Sequence, residues 1–375
     1  MAASGQHGEK LMEWRTHIVK RHASFQNTFG GKLQTARGSV RVNSERMIIV
    51  SLLLVGSMMP VAGKEPPRQP SFASVSGVGL ELSGIGTVPG GVLIADDELV
   101  GSVLFVDSEA LGGATETLTA TLVKIDRARK RSEPHTELPR LFAVQDFEGI
   151  ATDGASVVYL VGSHAPVEKD GWRRRPDREF LIKANWRPGD QELRVGKPKK
   201  RGVPGIYSKL IDHLTGTEGR TVVSGFNVEG LALRDGSLYI GLRSPLSEGS
   251  HGKALVFSAM QKDLFGKNSL RFNGPFTRLE LNLGGGGVRG LHWDAPTAKL
   301  LVLSGPSTDG ADVPSALWSY DFSALTLTLE HEFNSERIAA HGNPEGVTRF
   351  DRNRLLIAFD SEAKGRASLM FIPWR

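Results

Sequence analysis

Polar and apolar positions repeat one pattern along most of this chain. A polar residue and a glycine open a short apolar run, a tight turn follows, and a second run rich in Val, Ile and Leu closes the unit. The pattern reads DFEGIATDGASVVYLVGSHA from Asp146, NVEGLALRDGSLYIGLRSP from Asn227, VRGLHWDAPTAKLLVLSGPS from Val288 and PEGVTRFDRNRLLIAFDSE from Pro344. A fainter version, SGIGTVPGGVLIADDE, starts at Ser83. Asp153-Gly154, Asp235-Gly236 and Pro89-Gly90 supply tight-turn chemistry, so each unit predicts a β-hairpin.

A third strand is expected after every hairpin: ATLVKID, EFLIKAN, KALVFSA, ALWSYDF and ASLMFIPW. A fourth precedes the next hairpin in several units, as RLFAVQ, TRLELNL and LTLTLEHEF. Repeated four-stranded antiparallel units are the pattern of an all-β propeller. The motif glycines Gly84, Gly149, Gly230, Gly290 and Gly346 give five blades, or six if residues 190–226 hold another. The longest interval contains GIYSKLIDHLTG, expected as a short inserted helix. The last unit lacks a fourth strand, and FASVSGVGLEL near the other end of the chain can supply it and close the ring. A β-sandwich, or two smaller all-β domains, is the competing architecture.

Hairpin geometry then collects chemistry. The start of the first strand and the end of the second lie at the same edge, pairing Glu148 with His164, Glu229 with Arg243, Arg289 with Ser304, Glu345 with Asp360 and Ser83 with Asp97. If the first strands are innermost, these residues ring one mouth of a central channel. Oxygen-rich rings can hold Ca²⁺ or Mg²⁺, and Glu148, Glu229, Glu345 and Asp97 are the candidate ligands. Glu148, His164 and Asp360 are the candidate catalytic groups. Arg243 and Arg289, with Arg173 and Arg174 from the run GWRRRPDREF, are the candidates for gripping substrate oxygens; Arg175 and Arg178 belong to the same run. A purely structural ring, with the arginines neutralising the carboxylates, is the alternative.

The EGI, EGL and EGV hairpins, closed by GSH, GLRSP and FDSE, resemble an uncharacterised bacterial propeller family known as a domain of unknown function. The likeness covers most of residues 75–375 and is weakest in the first unit, where Ser83 replaces the glutamate. A looser kinship links the Glu-Gly strand starts to esterase-like phytase propellers. The resemblance implies a propeller fold and export, and no mechanism.

Composition narrows the function classes. Residues 48–62 are an uncharged apolar run behind a basic segment, shorter than a span of roughly 20 residues. They fit a secretory signal with small residues at Val61-Ala62-Gly63, making 1–63 a leader and 64–375 one propeller domain. The expected location is periplasmic or secreted; an N-terminal membrane anchor is the alternative. Met1, Met12 and Met47 compete as start. The net charge is +5, but the leader holds eight of the 46 basic and three of the 41 acidic residues. The remainder carries 38 of each, which removes the argument for nucleic-acid binding. With no cysteine, thiol catalysis and thiolate metal sites are excluded. GGGVRG matches a dinucleotide fingerprint but runs into a hairpin instead of a helix, so no nucleotide cofactor is expected. The expectation is an exported monomeric propeller, a metal-assisted hydrolase of a small anionic, phosphoester-like substrate. The alternative is a non-catalytic propeller that binds a ligand or another protein.

Overall fold

The computed structural model describes residues 71–375 apart from 77–80, 114–116, 128–143, 169–171, 174, 176, 190, 196–224, 248–251, 266–275, 309–311, 334–339 and 361–366. The expected leader, the inserted helix, most of the RLFAVQ strand and Arg174 lie outside the described residues. Among the described residues, no helix is long and apolar enough to cross a membrane.

The described residues are all-β apart from two short helices, and they form four-stranded antiparallel units. The first contains β2 (Leu82–Val88), β3 (Gly91–Asp96), β4 (Ser102–Asp107) and β6 (Thr121–Arg127). The second contains β7 (Phe147–Thr152), β8 (Val157–Gly162), β11 (Leu181–Arg187) and β12 (Glu192–Val195). In the third are β13 (Asn227–Arg234), β14 (Ser237–Ser244), β15 (Ala254–Met260) and β16 (Thr277–Leu281). The fourth holds β17 (Gly287–Asp294), β18 (Lys299–Gly305), β19 (Ala316–Asp321) and β20 (Thr326–Glu332). The fifth is β21 (Asn343–Arg349), β22 (Arg354–Asp360) and β23 (Ala367–Pro373), completed by the antiparallel β1 (Ser71–Ser76), with Ala73 opposite Leu369. The expected completion of the last unit by the strand that begins FASVS is therefore observed. A small hairpin, β9 (Val167–Glu168) and β10 (Trp172–Arg173), and two five-residue helices, α1 (Ser108–Gly112) and α2 (Gln261–Phe265), complete the description with β5 (Thr117–Thr119).

The expectation for the first unit needs correction. ATLVKID, expected as the third strand, forms β6 and stands fourth, behind β4. Five of the six residues of β4 are buried, so it lacks the alternation by which half-buried strands are recognised.

Hydrophobic clusters lie between the first and second units, the second and third, the third and fourth, the fourth and fifth, and the fifth and first. That cycle is closed, giving a propeller-like ring. The motif glycines show why it is so tight. A Cβ on Gly84 would stand 2.8 Å from the Glu148 carbonyl oxygen, and one on Gly149 2.9 Å from Leu231. On Gly230 it would meet Leu291 at 2.7 Å, on Gly290 the Glu345 carbonyl at 2.9 Å, and on Gly346 the Ser83 carbonyl at 2.6 Å. Each glycine thus faces the next unit, and the last faces the first.

At the turn end, threonines link the fifth, first and second units: Thr87 and Thr348 hydroxyls bond at 3.0 Å, and Thr152 donates to the Thr87 carbonyl at 2.7 Å. The outer rim is less uniform. β6 pairs in parallel with β12, and β5 pairs in parallel with β1. The fifth, first and second units are therefore stitched at the rim, whereas the third and fourth sheets end at β16 and β20.

Candidate functional site

The residue following each motif glycine, Ile85, Ile150, Leu231, Leu291 or Val347, is buried and points to the hub. These side chains leave a cavity of about 10 Å³, barely room for one water. The hub is plugged, and the expected channel reduces to a shallow mouth.

The residue before each glycine has its own structural reason. Registers slip between Leu82 and Ile85, Phe147 and Gly149, Val228 and Gly230, Val288 and Gly290, and Pro344 and Gly346. Ser83, Glu148, Glu229, Arg289 and Glu345 are thus the unpaired residues of β-bulges, which turn a side chain out of the strand's alternation. The bulge is what allows a polar ring above an apolar plug.

On one side of the mouth, Arg289 bridges two acids. Its Nη1 donates to Glu229 Oε1 at 3.2 Å and stands 3.1 Å from Oε2, while Nη2 donates to Glu345. Arg243 Nη1 reaches Glu229 Oε1 at 3.4 Å and its Nε donates to the Pro306 carbonyl at 3.2 Å. Asn227 donates to the same Glu229 oxygen at 2.9 Å. Burial lifts the Glu229 pKa, and the two guanidiniums oppose that lift.

Across the mouth, carboxyls crowd together. Glu148 is held well above the usual carboxylate range, first by burial and then by Glu229, Asp146 and Asp97, with Arg289 the opposing charge. Asp97 is pushed up to about 8 by burial, by the Glu81 and Asp146 charges and by its hydrogen bond with the Glu81 side chain. Asp146 is also raised by burial, against the pull of Ser163 and Arg178. Its carboxylate accepts from the Ser163 hydroxyl, and Arg178 Nη1 lies 3.2 Å away. Asp146 and His164 both take left-handed backbone conformations, φ 65° and 56°. They are locked there because Ser163 N–H donates to the Asp146 carbonyl at 3.1 Å and His164 N–H to the Arg178 carbonyl at 3.2 Å.

The candidate residues therefore separate. Glu229, Glu345, Arg243 and Arg289 come together, and Glu148 and Asp97 stand on the acidic side. His164 is buried, and its Nδ1 donates to the Gly162 carbonyl at 2.8 Å. Asp360 lies opposite Asn343 at the end of β22. Arg173 is exposed on the β9–β10 hairpin, which leaves the mouth end of β8. Within the same run, Arg175 forks onto Asp177 at 3.0 and 2.6 Å, and that bond holds the Asp177 pKa below its usual value. Among the described residues, no three His, Asp or Glu side chains are arranged to hold a metal ion. Asp146, Ser163 and Glu81 were missed from sequence. The signal for Asp146 was present, since Asp146-Phe147-Glu148 alternates two acids about a buried ring.

Residues 221–369, the third to fifth units, match a family described as "Protein of unknown function (DUF3616)". No curated protein sequence matches the chain. Among solved structures, a hypothetical protein from Leishmania major is similar at 12% identity and TM-score 0.40, over 83% of this chain and 91% of that one. The Bombyx mori GH32 β-fructofuranosidase BmSUC1 aligns at 12% identity and TM-score 0.37, over 80% of this chain and 61% of its own. The periplasmic gluconolactonase PpgL of Pseudomonas aeruginosa aligns at 14% identity and TM-score 0.29, over 76% and 69%.

Proposed function

We propose that the chain is an exported five-bladed β-propeller whose mouth binds a small polar substrate and acts as a hydrolase. The unequal handling of charge around one ring carries this reading. Burial and the neighbouring carboxyls raise the Glu148 pKa well above the ordinary range, which suits it to give a proton to a leaving oxygen. Arg289 and Arg243, fixed across the mouth by Glu229, are placed to meet negative charge developing on an ester, lactone or phosphoester oxygen. Ca²⁺ or Mg²⁺ assistance is a separable version, in which an ion would replace protons on Asp97 and Glu148. Added Ca²⁺ or Mg²⁺ after chelation should then raise the melting temperature.

A screen of small chromogenic esters, lactones and phosphoesters tests the reading. Turnover should fall as pH rises through the Glu148 pKa, and Glu148→Gln should lower it by about 10²-fold or more while leaving the melting temperature unchanged. Turnover that Glu148→Gln leaves intact would overturn it. A second reading, binding without turnover, is favoured by the saturation of Arg289 by two glutamates. It predicts a ligand that binds the mouth, loses affinity in Arg243→Ala and is released unchanged.

A further inference from the structure

Away from the mouth, between the fourth and fifth sheets, a groove of about 360 Å³ starts at the β17–β18 turn and runs beneath β20 to Trp374. Its size falls at the lower end of the range for small-molecule sites, about 300–1,000 Å³. Leu317 and Ile372 form an apolar floor beside the Trp374 indole. That ring is held from behind: its Nε1 donates to the buried Asp294 at 2.9 Å, and Asp294 also takes Arg349 Nη2 at 2.8 Å. The indole is therefore a rigid, partly exposed platform.

Polar groups stand along one wall. Lys299 Nζ and Glu330 Oε1 lie 3.7 Å apart, both tied to the Ser319 hydroxyl, at 3.4 and 2.5 Å. His331 packs edge-on against Phe333 at 4.9 Å. Its Nε2 is buried and finds no hydrogen-bond partner among the described residues. Burial also lowers the His331 pKa, so near neutral pH the ring is uncharged and can accept a hydrogen bond. A buried polar atom left unmatched is costly, and a bound group can recover that cost.

The geometry points to a second ligand site here, for a hydroxylated ring such as a pyranose stacked on Trp374, with a turn of the His331 ring bringing its closed-off Nε2 to one hydroxyl. A sugar face is apolar enough to lie on an indole, while its hydroxyls both donate and accept, matching a lysine, a carboxylate and a neutral imidazole in a row. Lys299 and Glu330 offset each other's charge, and Arg375 at the groove's edge adds a further donor for ring hydroxyls. A wholly apolar ligand would leave His331 unmatched.

Titration of the purified chain with D-glucose and with N-acetyl-D-glucosamine, followed by calorimetry, tests this. At least one should bind with a millimolar Kd, weakened tenfold or more by His331→Phe, which preserves the ring packing against Phe333. Trp374→Leu should abolish binding, and Glu148→Gln, at the mouth, should leave it unchanged. Failure of both sugars to bind the wild type would overturn the proposal. So would full binding by His331→Phe, or loss of binding in Glu148→Gln.

Discussion

Glu148 and Glu229 occupy the same place in neighbouring hairpins: each is the bulge residue before a motif glycine, at the same mouth. Their surroundings differ completely. Glu229 has two guanidiniums and an amide on its carboxylate, whereas the charges acting on Glu148 are mostly like its own. The bulge only aims a side chain; burial and the charges of its own and the adjoining units set its pKa. One half of the mouth is an ion-paired clamp; in the other, burial and neighbouring charge raise the pKa values of Asp97, Asp146 and Glu148. The rim does not follow that division: β6 and β12 stitch the first unit to the second, and β5 also pairs with β1 of the fifth, the unit that carries Glu345 of the clamp.

Breaking the clamp should have the largest effect. Arg289→Met leaves the nearly buried Glu229 and Glu345 facing each other without their shared cation. Removing one member of a buried ionic network typically costs about 3–5 kcal/mol. Denaturant unfolding at neutral pH measures it. A loss below about 1 kcal/mol would mean that the carboxylates find other partners, and the clamp would cease to be a distinct half.

The hub provides a control that ignores charge. In Gly290→Ala the new methyl would meet the Glu345 carbonyl at 2.9 Å, a backbone atom that cannot turn aside. Overpacking of this kind costs about 1–3 kcal/mol, and Gly84→Ala should match it on the acidic side. Unequal losses from the two would show that the halves differ in packing as well as in charge.

Next comes pH. The folded pKa of Asp97 is about 8, above its ordinary 3.8, so the folded protein holds a proton that the unfolded chain has released. Between those two values stability must fall as pH rises. Asp97→Asn removes that slope. With the partial exposure of the group allowed for, a gain of about 2 kcal/mol at pH 8 is expected over wild type, and none at pH 4. Melting temperatures measured from pH 4 to 9 would show two curves that diverge upward in pH. Parallel curves would place Asp97 among ordinary surface acids.

These effects also show what could be read from one dimension. Hairpins were legible because apolar alternation and Asp-Gly or Pro-Gly turns are local, and the glycines marked the inner strands. Closure by β1 was legible because one unit lacked a strand. The bulges were not, since one residue added to a strand leaves the composition of the repeat unchanged. Nor was the division of the mouth: Arg289 and Glu229 stand 60 positions apart, and only the ring brings them within 3.2 Å. β4 escaped for the opposite reason, being too uniformly buried to alternate.

The smallest expected effect sharpens the comparison most. Glutamine resembles a protonated glutamate in shape and hydrogen bonding, so Glu148→Gln should shift stability at neutral pH by no more than about 0.5 kcal/mol. The same change at Glu229 removes the charge that Arg243 and Arg289 were placed to meet, and about 2 kcal/mol should be lost. Two chemically identical substitutions at equivalent bulges would then give a near-silent and a costly outcome. Equal costs would mean that Glu148 is ionised in the folded state, and its role as proton donor would fall with that result.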